Sequence, residues 1–507
     1  MFLLSLIAIA SAAAPLEPQR LHDDLLVRFE SRDLDTGCLT GLVKDLSANW
    51  ELFSSAERKT ITSALAPFKA DLLDPLASAP PAPPAAGFAT DTCFGQQGDN
   101  RLTGAHFAVE WDEGSVTENV AQSFLDDLEY SYEIEVDQYG WKAPELDGQY
   151  LMLALIADQN MQGAYTTVEY CGGGYAPYIV TGKDAANWGD WTSEMASHEF
   201  NHALQFGYGF AAEFWWWEAT ATFIEDIVFP DTNGWAQYIT GYSQSPEIAM
   251  GASDQNDQDI FWHMYGMAIW AFYLNDYQGG PDTVRATWEL AAEERGTYAY
   301  GGQDMVEALG LDWHTTYIDF ITRNASMDYE QHRYFPNISK EATVDELPAS
   351  GEGDGNARPQ GYGQNYIRID GGLGEGDLQV IFAGESEVDW AVVLAETDGE
   401  DIVQSVNAVA TSGEDTVLTL TGYGYDDVYL IVSPLDESDD KRNYTWSAEL
   451  VEASPVDSGG DWDGLVDGPG GGEKVGGCGC ATTPGPSAPG LAFFGLGLWL
   501  RRRLTVR

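Results

Sequence analysis

Apolar residues recur at three- and four-residue spacing at Val120, Phe124, Leu125, Leu128, Tyr132 and Val136. That stripe predicts a long amphipathic helix, which Gly140 should end. An unbroken apolar run over 150–157 reads as a buried strand, and 165–170 and 178–181 as further strands between glycine-rich turns. Helical patterns then take over, at about 191–206, 211–227, 260–277, 281–294, 303–309 and 313–323. From about 345 the period changes to two. LQVIF, WAVVLAE, TVLTLT, VYLIV and YTWSAEL are five strand candidates with Gly, Asp and Ser between them, the pattern of a small β-sandwich. A sheet-bearing half followed by helices is α+β. The expected fold class is therefore α+β, with an all-β sandwich over 341–452 behind a mixed domain over 93–340.

The flanks read differently. Residues 14–74 carry short amphipathic helices (LHDDLLVRF, CLTGLVKDL, AERKTITSALAPF), either a pro-segment or a minor N-terminal domain. Pro75, Pro80, Pro81, Pro83 and Pro84, set mainly among alanines, make 75–92 an extended linker. Residues 453–477 are a Gly/Asp-rich linker. No internal repeat long enough for a solenoid is present.

The chain has 507 residues, room for two or three units. Apolar residues at 44% and aromatics at 12% exclude global disorder. Lys plus Arg is 24 and Asp plus Glu 81, for a net charge of −57. That charge excludes an ordinary nucleic-acid binder, which needs a basic face to displace counterions. It also argues against docking on an anionic membrane through a polybasic patch. A carboxylate-rich surface with only eight Lys suits an extracellular or salt-exposed protein, where ions screen self-repulsion, although a solvated acidic face is the simplest reading.

Residues 1–13 have the form of a short secretory signal. The run from Phe2 to Ala10 is apolar and too short to span a bilayer, and Ala10-Ser11-Ala12 fits the small-x-small cleavage rule, without the usual basic residue ahead of it. At the other end, 478–507, Cys478-Gly479-Cys480 precedes a Pro/Gly spacer, an apolar run from Leu491 to Leu500 and Arg501-Arg502-Arg503. Ten such residues cannot cross about 30 Å of hydrocarbon at 1.5 Å each. The order suits a removable processing tag, the competing reading being a weak re-entrant anchor or a frayed end. It resembles the three-part C-terminal sorting signals of myxobacterial surface proteins. That resemblance implies a sorting protease, removal of the tail and attachment at the outer cell surface through the Cys region. Among Cys38, Cys93 and Cys171 three pairings are open, with a lean toward Cys93–Cys171 because both fall in one predicted domain.

The chemistry concentrates in SEMASHEFNHALQF, residues 193–206. His198-Glu199-Phe200-Asn201-His202 is an H-E-x-x-H motif. Residues four apart lie on one helix face, so the two imidazoles can offer half of a tetrahedral zinc site. Glu199, beside the first of them, can hold and deprotonate a water. With seven His in 507 residues, a chance His pair of this spacing with the carboxylate in place arises in roughly 0.016 such chains. Asp190 or Thr192 can start the helix and Gly207 can end it. A pair of core histidines beside a surface Glu is the bland alternative.

The third ligand is expected on the following helix, FWWWEATATFIED. Glu218 is a carboxylate among aromatic and small residues, where an unpaired charge is costly and a nearby cation is the economical explanation. Glu225 lies two turns on and reads as a partner to a ligating His. The reverse assignment, Glu225 as ligand and Glu218 as structural, stays open. Glu213 reads as a surface residue. Trp215, Trp216 and Trp217 read as core, with sugar stacking as the alternative.

HEFNHALQF, a short loop and then WxxEAxAxxxED resemble the Glu-zincin metallopeptidases, most closely the secreted ones whose glutamate helix begins with tryptophan. The match covers roughly 95–335, and putative metalloproteases of myxobacteria combine such a core with a sandwich and a sorting tail. The resemblance implies a zincin-like catalytic domain over 93–340. It also implies one zinc ion held by His198, His202 and Glu218, and Glu199 as general base. The family's third-ligand helix carries an Asp four residues after the Glu. Here that position is Thr222, leaving Glu225 or Asp226 to take its part.

An acyl-transfer site also needs a donor for the oxyanion. FWHMYG, 261–266, offers Tyr265 and His263. Asp254, Asn256, Asp257 and Asp259 could bind Ca2+ but lack the Gly and distal Glu of an EF-hand loop, so an exposed loop is the better reading. The expected function is a secreted, surface-anchored zinc endopeptidase acting on protein or peptide substrates. The alternative is a non-catalytic surface binding or structural protein on the same scaffold, which would have no need of Glu199.

Overall fold

The six residues Met152–Ala157 are all buried, and a strand sealed on both faces needs neighbours on both sides. In the computed structural model this strand, β3, is the middle of five. Residues 91–453 are described, apart from 158–162, 172–173, 210–211, 255–256, 294–300, 373–375, 412 and 423–426, together with 52–54, 57 and 89. The signal, the N-terminal helices, most of the linker over 75–92, Cys38, the linker over 453–477 except its first residue, and the sorting tail lie outside the described residues.

The first sheet takes the order β1 (Asn100–Thr103), β2 (Phe107–Trp111), β3, β5 (Gly174–Gly182), β4 (Ala164–Cys171). β2, β3 and β5 run parallel, while β1 and β4 are antiparallel edges. β1 and β2 had no counterpart in the sequence pattern. FAVEW is buried at every position, so the alternation that betrays a strand is missing. Cys93 and Cys171 form a disulfide, with Cα atoms 6.3 Å apart, that joins the start of the domain to the end of β4.

Helix α1 (Glu118–Tyr132) starts at Thr117, whose hydroxyl accepts from Val120 N. It buries Phe124, Leu125 and Leu128 against β2 and continues as a π-turn over Glu133–Gln138. Helices α2 (Asp190–Tyr208) and α3 (Phe214–Val228) follow the sheet and pack on each other. α2 runs past Gly207 and ends at Gly209, whose φ of 109° no side-chain-bearing residue adopts readily.

Beyond them lie α4 (Ala236–Gln244), α5 (Gln258–Gly266), α6 (Ala268–Gln278), α7 (Pro281–Glu293), α8 (Gly302–Ala308) and α9 (Trp313–Asn324). The single helix expected over 260–277 is two, broken at Met267. α4 is additional, and its polar, glycine-containing sequence hides it. α4 and α5 cross with backbones touching. A Cβ at Gly241 would stand 2.1 Å from the Trp262 carbonyl oxygen, and one at Gly266 2.4 Å from Tyr242 N.

The C-terminal region is a β-sandwich, so the fold class is α+β. One sheet runs β11 (Asp401–Ala410), β10 (Trp390–Asp398), β13 (Asp427–Pro434), β8 (Asn365–Asp370), β6 (Ala342–Val344). The other runs β12 (Thr416–Leu420), β9 (Asp377–Gly384), β14 (Tyr444–Val451), β7 (Ala349–Glu352). Among the described residues nine strands stand where five were expected. Of the four extra strands, β6 and β7 are only three and four residues long. β11 buries only its last residue, Ala410.

The first of these sheets is covered twice. Trp390, Val392, Leu394, Val428 and Leu430 face the sandwich interior, whereas Ala391, Val393, Ala395, Tyr429 and Ile431 join the core of sheet and helices. α9 packs on β10 and β11. Buried hydroxyls stitch the seam. Tyr242 donates to Gln364 Oε1 at 2.6 Å, Gln364 Nε2 donates to the Tyr317 hydroxyl at 2.8 Å, and Tyr366 donates to the Ile321 carbonyl at 3.1 Å.

Candidate metal centre

α2 is buried along almost its whole length, from Thr192 through Gln205. Its polar residues can therefore persist only with partners. His198 and His202, one turn apart, point toward α3, where Glu218 is fully buried. His198 Nε2 is 3.2 Å from His202 Nε2 and 3.2 Å from Glu218 Oε2, and His202 Nε2 is 3.5 Å from the same oxygen. Among the described residues these three form the group able to hold a metal ion.

The protons around this triangle are set from outside. His198 Nδ1 is 2.8 Å from Glu225 Oε1, and His202 Nδ1 is 2.7 Å from Gln205 Oε1. Gln205 Nε2 donates to the Trp217 carbonyl oxygen at 3.1 Å, so its amide oxygen is the atom facing His202. Both imidazoles therefore donate from Nδ1, and in the neutral ring Nε2 is then a bare lone pair. With that tautomer two lone pairs and a carboxylate oxygen converge within 3.5 Å, an arrangement that a proton or a cation relieves.

Two further observations test the fit of a cation. Donors bound at about 2.0–2.1 Å in a tetrahedral array stand about 3.3–3.4 Å apart, the scale of the separations seen. Glu218 Oε1 is buried with no hydrogen-bond partner, leaving a second oxygen of the carboxylate for an ion. Burial opposes charge on Glu218, and only positively charged neighbours, protonated imidazoles or a cation in their place, hold its carboxyl down. The three side chains could hold a metal ion.

Glu225 is the partner of His198, not a corner of the triangle. Burial, with Glu194 and Glu199 nearby, pushes its carboxyl up to about 7 against the pull of His198. Asp226 turns away and accepts from Gln331 Nε2 at 3.1 Å. Thr222 Oγ1 is buried without a hydrogen-bond partner and plays no part in holding a histidine. Glu213, expected at the surface, is partly buried and accepts from Trp215 Nε1 at 2.7 Å. The three tryptophans are core.

Glu199 sits beside this group, 1% exposed, with its Oε2 receiving the Thr166 hydroxyl of β4 at 2.7 Å. A recess opens next to His198 and Glu199, walled by Trp191, Glu194, Tyr238 and Tyr265. Tyr265 stacks on Tyr238 at 5.3 Å and on His198 at 6.0 Å.

His263 is not brought to the site. Two residues from Tyr265 on one helix, it points the other way, fully buried against Tyr242, with both ring nitrogens unpartnered. Burial drives its pKa down to about 3, so it is neutral. Of the acidic loop, Asp257 caps α5 by accepting from Asp259 N and Ile260 N. Among the described residues the loop forms no metal-ligating group.

Thr166, Gln205 and Asn201 escaped the sequence reading. Gln205 alone carried a signal, three residues after His202 on the same helix face. An apolar recess walled by Phe94, His106, Leu146 and Tyr150 shares no lining residue with the recess beside His198 and Glu199.

No family model matches this chain, nor does any curated protein sequence. Among solved structures it is similar to the pre-peptidase C-terminal domain of a collagenase from Bacillus anthracis, at 14% identity and a TM-score of 0.17. That likeness covers 22% of this chain and 100% of that one. It is also similar to a β-glucosidase from Paenibacillus barengoltzii, at 11% identity and a TM-score of 0.08, over 33% of this chain and 19% of the other. Likenesses at these scores carry no argument about function.

Proposed function

We propose that this chain is a zinc-dependent endopeptidase of Glu-zincin type, secreted and held at the outer cell surface. The observation that carries the reading is the convergence of His198 Nε2, His202 Nε2 and Glu218 Oε2, with Glu199 alongside. Two imidazoles and one carboxylate suit zinc, and three protein ligands leave a fourth position for water or substrate.

A bound zinc ion would polarise a peptide carbonyl and lower the pKa of water. The protein's own residues do the rest. Glu199 takes the proton as a water oxygen attacks the carbonyl carbon, and gives it to the amine nitrogen as the C–N bond breaks. Tyr265, in the wall of the recess, is the donor we assign to the developing oxyanion. Glu225 and Gln205 hold the imidazoles in the ligating tautomer. Secretion and surface attachment rest on the terminal segments alone.

The deciding experiment is Glu199→Gln. It keeps size and removes the base, so zinc content should match wild type while peptide cleavage falls at least 10²- to 10⁴-fold. Wild-type protein that cleaves no member of a broad peptide library, assayed in salt with and without residues 14–90, would leave the non-catalytic surface protein as the better reading.

A further inference from the structure

Behind His202 the hydrogen bonds continue past Gln205. Gln205 Nε2 donates to Asn201 Oδ1 at 2.8 Å, and Asn201 Nδ2 donates to Glu135 Oε2 at 2.9 Å. Every link is buried, and Asn201, Gln205 and Glu135 have no solvent exposure at all. The direction is uniform. His202 Nδ1 donates to one amide, that amide to the next, and the second to a carboxylate. The Trp217 carbonyl, which can only accept, fixes the sense of the first amide, and the rest follow from it.

Glu135 is otherwise hard to explain. It lies in the π-turn that follows α1, sealed from water, and its Oε1 has no partner. A leucine there would pack without that cost. A chain of aligned amides ending on a buried carboxyl oxygen has a different use. It fixes the orientation of each amide in turn and locks the His202 ring with Nε2 bare.

We infer that Glu135 is a remote positioning residue for the metal centre, acting on His202 through the Asn201 and Gln205 amides. The inference rests on the metalloenzyme reading, and the sequence separation of 66 between Glu135 and Asn201 hides it from any motif.

The test uses the full chain and a readout apart from cleavage. Zinc affinity is measured by chelator competition, and the visible absorption of the cobalt(II)-substituted protein reports ligand geometry. Glu135→Leu should weaken zinc binding roughly 10- to 100-fold and shift the cobalt bands. Glu135→Gln, which still offers an oxygen to Asn201, should recover most of the affinity. Melting of the metal-free proteins separates misfolding from misplacement. If Glu135→Leu does not fold, Asn201→Ser opens the same line and is held to the same threshold. A folded variant with wild-type zinc affinity and cobalt spectrum would overturn the inference alone. Wild-type protein that binds no zinc would overturn the metalloenzyme reading with it.

Discussion

The hydroxyl of Thr166 lies 2.7 Å from Oε2 of Glu199 and 2.8 Å from the carbonyl oxygen of the same residue. Thr166 belongs to the edge strand β4, so this contact ties the helix that carries the proposed base to the sheet beside it. A hydroxyl has one proton to give, and both acceptors lie on the residue it restrains.

Replacing Thr166 by Val keeps the shape and removes the donor. A hydrogen bond to a charged group contributes about 1.5–3 kcal/mol. The turnover of Thr166→Val should therefore fall roughly 10- to 100-fold with zinc content unchanged, read by steady-state kinetics and elemental analysis on one preparation. Loss of zinc in parallel would make Thr166 a support of the ligand helix instead.

Metal removal should cost stability, because the ligands join α2 to α3 in the core. Free zinc at a thousandfold excess over its dissociation constant stabilises by about 4 kcal/mol. Chelation should lower the melting temperature, added zinc should restore it, and His202→Ala should melt alike with and without chelator. An unchanged wild-type melt after exhaustive chelation would count against the site.

Two aspartates, Asp226 buried and Asp127 half-buried, set a pH trend. Burial pushes Asp226 up to about 6, with Gln331 opposing, and likewise raises Asp127 to about 6 against the Ser193 hydrogen bond. A carboxyl raised in the folded state favours folding when protonated. Its contribution is complete below the ordinary value of 3.8 and is lost as pH rises through about 6. For Asp226, 7% exposed, a shift of that size corresponds to at most roughly 3 kcal/mol. Asp226→Asn should be more stable than wild type at pH 8 and level with it near pH 4, by urea melts of metal-free protein. Equal gains at both pH values would show that charge is not the cause.

The crossing of α4 and α5 leaves no room for a methyl group. Gly241→Ala and Gly266→Ala would each drive a Cβ into backbone at 2.1 and 2.4 Å. Overpacking of this kind costs about 1–3 kcal/mol. Each variant should melt below wild type and also lose turnover, because Tyr265 is the neighbour of Gly266 and stacks on Tyr238. Wild-type melting and turnover in both would mean the helices part freely.

What the sequence discloses follows the physics of each element. His198, Glu199 and His202 share one helix, so their spacing alone predicts their common face. Glu218 follows within one short loop, and its isolation among Trp215–Trp217 and small residues marks it. Thr166 and Glu135 reach the site from distant strands and turns, and only tertiary packing brings them there. Tyr265 and His263 could not be separated by composition. Two residues apart on α5, they meet different residues of α4, Tyr265 stacking on Tyr238 and His263 lying against Tyr242, and α4 itself was hidden by Gly241, Ser243 and its tyrosines. The strands with continuous or regularly alternating apolar runs, such as WAVVLAE, were legible. β11, open to solvent along most of its length, was not.

The sheet of β10 and β13 is a wall between two cores, with alternate residues of one strand belonging to each. The C-terminal strands are thus no appendage that recombination can trade between genes. A duplication or fusion that ended near residue 341 would strip Ala391, Val393, Tyr429 and Ile431 from the core they share with Tyr317 and Ile321 of α9. A chain without the sandwich would need a substitute lining for the half that carries His198 and His202.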